Sequence, residues 1–421
     1  MLGHLIEKKK KQKLLTKEDF DTVINCMLEY GCGKSVVKFF LALNSFGMRK
    51  EEVLNLALAL RDSGEVVEYE EEIFDKHSTG GIGDPSSLVI LPLLASAGYK
   101  MIKTGGRSLA YTNGSADRFK AIPGLRTNLT QDEILYLLDN QNGCFVSHSE
   151  AICPADRVLY DIREMCSIEN DINLLAASIA CKKLASGAKI ILVDIKYGDA
   201  SIVKDYGEAQ KLAGLLEYIF KMGKVKPVIV ISKTRQMVGE GVGNALEVLD
   251  AIKVLKGEKN LLRDVSIEYA TQMILARDKN ADESYVREIL ESKLNNGSAY
   301  GKFCEIIRMQ DGDENSLAPE SIFKPYRLAN FVIEKDGYVA KINALVLGEL
   351  VRRLCEVSHD NNIGVVLRAK IGDYLKKGET VLTFYYKNEE DLKTYRKAVI
   401  GCIVVSTEEV KAESVIKKII K

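Results

Sequence analysis

Apolar residues in the first 65 positions recur at helical spacing. Val23, Ile24 and Met27 follow Thr16-Lys17-Glu18-Asp19, a capping box with Thr16 as N-cap and Asp19 in place of the usual Glu or Gln. A Leu/Ala-rich stretch at 51–62 predicts a further helix that stops near Gly64. The period then changes. Residues 66–74 alternate like a strand, 75–85 are glycine-rich, 86–98 read as an apolar helix and 100–103 as a short strand. Compact β-branched runs at 189–193 and 225–231 are the pattern of buried parallel strands, with helices at 206–222 and 244–255 beside them. Residues 174–184 are helical again. Helix and strand signals in alternation predict an α/β domain with a mainly parallel sheet.

From about residue 326 short strands are punctuated by Asp336-Gly337, Ile371-Gly372 and Lys377-Gly378, which predicts a small C-terminal α+β domain. Its pattern is similar to the hammerhead of biotinyl and lipoyl carriers, but a Met-Lys-Met modification site is absent, which argues against a carrier. At 421 residues the chain has room for two or three domains. Basic and acidic residues number 59 each, a balance that argues against a nucleic-acid partner. The run at 8–13, rich in lysine, reads as a solvated helix face. Nine cysteines without a C-x-x-C pair suggest reduced, mostly buried thiols in a cytoplasmic setting. The N-terminal residues lack a secretory h-region, and no stretch approaches the ~18 uncharged apolar residues of a membrane span, so neither a leader nor a membrane association is expected.

Candidate chemistry concentrates in Asp75-Lys76-His77-Ser78-Thr79-Gly80-Gly81-Ile82-Gly83-Asp84-Pro85-Ser86-Ser87. Asp84 suits an N-cap and Pro85 the first helical position. Glycines let backbone N–H groups approach a ligand, the helix start adds partial positive charge, and Lys76, Ser78 and Ser87 add donors. The segment is neither a Walker A loop nor G-x-G-x-x-G, but it has the parts of an anion cradle. His77, one of four histidines, sits inside it. A second polar, glycine-rich segment, 103–117, supplies Lys103, Thr104, Gly105, Arg107, Ser108 and Ser115.

These residues resemble the thymidine and pyrimidine-nucleoside phosphorylases. The family's D-K-H-S-T-G-G-[VI]-G-D is matched without a gap at 75–84, and its second signature, K-M-S-G-R-G-L-G-H-T-G-G-T-x-D, imperfectly at 103–117. The likeness runs on through Leu159-Tyr160-Asp161-Ile162-Arg163, the helix around Ser178 and Lys182, and Val242-Gly243-Asn244-Ala245-Leu246-Glu247-Val248, to the C-terminal glycine turns. The resemblance implies an all-α domain split as 1–65 and 155–187, an α/β domain at 66–154 and 188–325, and a C-terminal domain at 326–421. It implies a homodimer through the α domain and a cleft that closes by hinge motion. By position, Lys76, Ser78, Ser87, Lys103, Thr104, Gly105 and Ser115 would line the phosphate, and Arg163, Ser178 and Lys182 the pyrimidine. His77, Arg163 and Lys182 would be catalytic. Phosphate is the implied co-substrate, with no organic cofactor. A monovalent cation such as K+ would take backbone ligands from Gly83, Val238 and Gly241 and the carboxylate of Asp250.

The residues alone add that Ser178 and Lys182, at i and i+4, share a helix face. Without the resemblance, Lys182 and Lys183 read as a solvated face and Asp250 as a surface acid. Several positions depart from the family pattern. Gly105 replaces a serine, Pro85 a threonine, Tyr111 a histidine and Asn113 a glycine. Asp199 and Ala200 alter a glycine-rich turn, and an acid near phosphate would repel it. Lys233-Thr234-Arg235 also departs from the family. Two rival expectations follow: an anthranilate-type phosphoribosyltransferase of the same architecture, and a paralogue that binds a nucleoside without turnover.

Overall fold

The computed structural model describes residues 2–106, 114–147, 152–318, 326–360 and 362–421. Four helices come first: α1 (Gly3–Lys10), α2 (Lys17–Tyr30), α3 (Lys34–Phe46) and α4 (Lys50–Arg61). The Thr16 box forms as expected: the Asp19 amide donates to the Thr16 hydroxyl, and the Thr16 amide to the Asp19 carboxylate at 2.8 Å.

The chain then alternates. β1 (Phe74–Ser78) leads to α5 (Ser86–Ser96), β2 (Met101–Gly105), α6 (Ser115–Lys120), α7 (Gln131–Gln141) and β3 (Gly143–Ser147). It returns to the helical layer as α8 (Pro154–Met165) and α9 (Ile172–Ala185), which packs on α4. β4 (Ile190–Tyr197), α10 (Tyr206–Met222) and β5 (Lys226–Lys233) complete the parallel sheet. A short β6 (Gly241–Val242) precedes α11 (Asn244–Leu255), α12 (Leu261–Arg277), α13 (Glu283–Asn295) and α14 (Ser298–Met309).

The C-terminal part contains β7 (Arg327–Val332), β8 (Gly337–Ile342), β9 (Gly364–Leu367), β10 (Tyr374–Leu375), β11 (Thr380–Tyr386) and β12 (Ile403–Ser406), with helices Ala344–Ser358 and Glu389–Gly401. Its two antiparallel sheets run β10-β8-β12 and β6-β9-β11-β7, so β6 ties the α/β part to it. The last strand, β13 (Ile416–Ile420), leaves these sheets and pairs antiparallel with β5.

The central sheet runs β13-β5-β4-β1-β2-β3. The chain lays β2 and β3 on one side of β1, then crosses to lay β4 and β5 on the other. Such a switch point, here between β1 and β4, opens a crevice at the carboxyl ends of the strands, where ligands of open α/β sheets bind. α5 follows β1 and is apolar on every side. Its residues from Ser86 through Ala95 are all buried, so it is a core helix without a solvent face.

Several expectations change. Residues 66–73 form no strand; the strand starts at Phe74 and takes in Asp75 through Ser78. Five glutamates at 65, 68, 70, 71 and 72 hold one side of the preceding segment toward the surface while Val67 and Ile73 are buried, an alternation that mimics a strand. The lysine run is not wholly solvated: Lys9 is buried and pairs with Glu52 at 2.5 Å. Five of the nine cysteines are buried and none is disulfide-bonded.

Candidate active site

The anion loop spans the carboxyl end of β1 and the start of α5. Pro85, not Asp84, is the N-cap, and the helix begins at Ser86, one residue later than expected. Asp84 still caps it, accepting from the Ser86 amide at 3.1 Å. A cleft of about 70 Å³ opens here. One wall comes from β1, β2 and the loops after them. It brings together Lys76, His77, Ser78, Ser87, Lys103, Thr104, Gly105 and Ser115. The opposite wall is helical, with Tyr160 of α8 and Lys182 of α9. Two segments that are more than forty residues apart in the sequence thus face one space. Arg107, Ser108, Tyr111 and Asn113 lie outside the described residues.

The wall built from β1 and β2, called the phosphate wall for the ligand expected there, is rich in buried cations. Lys103 is buried; its ammonium donates to the Thr104 carbonyl at 2.6 Å and forms no ion pair with a carboxylate among the described residues. Burial, with Lys183 and Lys76 nearby, holds its basicity well below the ordinary lysine value, a cost an incoming anion would relieve. Lys76 donates to Ser86 Oγ at 2.9 Å and stands 3.6 Å from Asp84. Lys183, expected on a solvated face, is fully buried. It donates to Asp75 at 2.8 Å and to the Thr104 carbonyl at 3.0 Å, and so fixes the end of β2.

Burial together with Lys183, Lys103, Lys182 and Lys76 depresses His77 well below the usual histidine range. It is therefore neutral near pH 7, able to donate one hydrogen bond but not to act as an imidazolium. A Cβ at Gly105 would lie 2.7 Å from the Ser115 Cβ, so a serine does not fit there and the Ser115 side chain occupies the space.

On the helical wall, Lys182 donates to Asp156 at 2.5 Å and to Ser178 at 2.9 Å, and lies 4.5 Å from the Tyr160 ring centroid. Burial opposes its charge, yet Asp156 and Tyr160 raise its basicity, so it stays protonated. Arg163 does not line the cleft. It is fully buried, one turn along α8 from Tyr160, with its guanidinium 5.7 Å from that ring. Its Nη2 donates to the Glu169 carbonyl at 2.6 Å, whereas Nε and Nη1 are buried without a partner among the described residues. Ser178 sits behind Lys182 and touches the cleft only through it.

The expected cation ligands converge only in part. Asp250 is buried rather than a surface acid, and its Oδ2 accepts from the Glu240 and Gly241 amides at 2.7 and 2.6 Å. The Lys253 ammonium lies 3.5 Å from Oδ1, and the Gly83 carbonyl accepts from the Gly239 amide at 2.8 Å. Asp250 Oδ2 and the Gly83 carbonyl thus already serve protein donors, so these two oxygens as arranged do not fit a K+ ion. Val238 packs in the apolar core beside them.

Asp199 does not threaten the anion. Its side chain is 86% exposed, 3.8 Å from Lys341, and lines a separate cavity. Ala200 is buried in the C-terminal core.

Sequence reading missed Arg118 and Asp156. Arg118 lines the phosphate wall, pairs with Glu247 at 2.5 Å, and keeps a buried Nη2 without a partner among the described residues. Its three-residue spacing from Ser115 on one helix was the available signal. Asp156 had none, because its partner Lys182 is 26 positions away.

Fold and site together define a class. Residues 70–300 match the family model described as glycosyl transferase family, a/b domain. Anthranilate phosphoribosyltransferase from Thermus thermophilus shares the fold, with a TM-score of 0.59 and 18% identity, covering 72% of this chain and 98% of that one. The relatives are more particular. A pyrimidine-nucleoside phosphorylase of Geobacillus stearothermophilus is 33% identical over 98% of both chains. One from Bacillus subtilis (strain 168) is 33% identical over 91% of this chain and 92% of its own. The chain belongs to the pyrimidine-nucleoside phosphorylase family.

Proposed function

We propose that this protein catalyses reversible phosphorolysis of uridine- and thymidine-type nucleosides, giving free base and ribose or deoxyribose 1-phosphate. The single observation that carries the reading is Lys103, a buried ammonium without a carboxylate partner among the described residues, across one cleft from the carboxylate-held Lys182. Phosphate would sit among Lys76, Ser78, Ser87, Lys103, Thr104 and Ser115, with Arg118 added to that set. One phosphate oxygen bonds to C1′ as the C1′–N1 bond breaks. The bonding pair leaves with the pyrimidine, which then takes up a proton. The sugar passes through an oxocarbenium-like state that the phosphate dianion stabilises. Lys182 and the Nε and Nη1 donors of Arg163 would stabilise the developing negative charge on the base. Because Arg163 stands one layer back, this role requires the cleft to close around Tyr160. Neutral His77 would donate a hydrogen bond to the base O2.

The same reading includes the domain division at 1–65 with 155–187, 66–154 with 188–325, and 326–421. It also includes a homodimer through the helical layer. Leu28, Tyr30, Leu41 and Phe46 on α2 and α3 expose apolar surface suited to that contact. No described helix is long and apolar enough to cross a membrane, in keeping with a cytoplasmic enzyme. Identity of 33% across nearly the whole chain favours phosphorolysis over the phosphoribosyltransferase, whose likeness is one of fold.

The test is base release from uridine and thymidine with and without phosphate. Equimolar base and pentose 1-phosphate only when phosphate is present is the expected result. Absence of turnover with phosphate, or turnover only from 5-phosphoribosyl pyrophosphate with Mg²⁺, would overturn the proposal.

A further inference from the structure

Behind the anion loop lies a buried chain of four charges. The Lys196 ammonium of β4 forms ion pairs with Asp194 at 2.7 Å and Asp84 at 3.1 Å, and Asp84 stands 3.6 Å from Lys76. Each of the four side chains is 3% exposed or less. The Ser232 hydroxyl donates to the other Asp194 oxygen at 2.5 Å. Lys196 grips the loop in two further ways. Its amide donates to Thr79 Oγ1 at 2.9 Å. Its side-chain stem runs so close to Gly81 that a Cβ there would lie 2.4 Å from Lys196 Cδ. One residue of β4 thus touches the loop at Thr79, Gly81 and Asp84, across the switch point of the sheet. Lys196 does not line the cleft.

We propose that Lys196 is a positioning residue for phosphate: by pairing with both Asp194 and Asp84 it offsets one of their two charges and keeps Asp84 from closing on Lys76, whose ammonium is left to face the anion. The proposal rests on the phosphorolysis reading. With Lys196 present, two lysines balance two aspartates, and Lys76 leans on Ser86 rather than closing a tight pair with Asp84. Without it, Lys76 alone faces two carboxylates, is drawn to Asp84 and the phosphate wall loses one positive charge. Charge at this depth is screened little. The depressed Asp84 carboxyl, held low by Lys196 and Lys76 against its burial, fits this order of pairing.

Two substitutions give opposite signs. Lys196→Gln should raise the Kd for inorganic phosphate, measured by calorimetry on the full chain, at least about tenfold, the scale of one lost charge-assisted bond. Its KM for nucleoside should change less than about twofold, as expected when the missing interaction is on the phosphate side. Asp194→Asn removes the opposing charge and should leave phosphate Kd unchanged or lower it by roughly threefold, a fraction of the same interaction. A merely structural role would weaken phosphate binding in both variants and raise both KM values. If Lys196→Gln does not fold, Asp194→Asn decides alone, and phosphate binding weakened threefold or more overturns the proposal. Unaltered phosphate affinity in a folded Lys196→Gln overturns it as well. Wild-type protein without measurable phosphate binding would instead refute phosphorolysis, which separates the two failures.

Discussion

On the phosphate wall, the decisive cation, Lys103, lacks a carboxylate partner among the described residues, and burial weakens its hold on its proton. On the helical wall, Lys182 is equally buried, yet Asp156 at 2.5 Å and Tyr160 keep it charged. The first arrangement is incomplete until an anion arrives. The second is complete before any ligand arrives, with Arg163 behind it holding two unused donors among the described residues. An unpaired cation binds a dianion, whereas a paired one resists proton loss and can meet a charge that exists only in the transition state. On the proposed phosphorolysis, the difference between the walls is a division of labour between substrate capture and leaving-group stabilisation.

The largest way to break this division is Lys182→Ala. It should lower kcat/KM by about 10² to 10³, the usual loss when one group facing developing charge is removed. Stopped or steady-state assays with uridine would show it, and activity within threefold of wild type would contradict the helical-wall role. Asp156→Asn should have a smaller effect, roughly tenfold. Losing the carboxylate lowers the Lys182 pKa, so the alkaline limb of the pH–rate profile should move to lower pH. A limb that stays in place would separate Asp156 from the titration. The smallest effect belongs to Asp199→Asn. Exposed and outside the cleft, it should change phosphate KM less than about twofold; a clear gain in phosphate affinity would return Asp199 to the site.

Legibility in the sequence divided along the same line. The phosphate wall is nearly contiguous. Lys76, Ser78 and Ser87 fall within twelve positions, and glycines with a helix start announce a backbone that can approach an anion. Helices such as Tyr206–Met222 and Asn244–Leu255 stand where the sequence pattern places them. The helical wall was not legible from local pattern. Lys182 and Lys183 look like a solvated pair, because burial of α9 on all sides is a tertiary fact. Asp156, Lys196 and Glu247 act through partners 26, 112 and 129 positions away, and no local period encodes such pairs. The glutamate-rich approach to β1 shows the reverse error: Val67 and Ile73 alternate into the core, but the segment forms no strand. The return of β13 to the central sheet is likewise set by an edge of β5 that only the assembled sheet offers.

The central claim is that capture belongs to one wall and leaving-group chemistry to the other. Calorimetric titration of inorganic phosphate into wild type, Lys103→Met and Lys182→Ala tests it directly. The account predicts a Kd raised roughly 10- to 100-fold in Lys103→Met, from loss of a charge-assisted contact, and within about twofold of wild type in Lys182→Ala. Equal weakening in both variants, or undiminished phosphate binding in Lys103→Met, would contradict it.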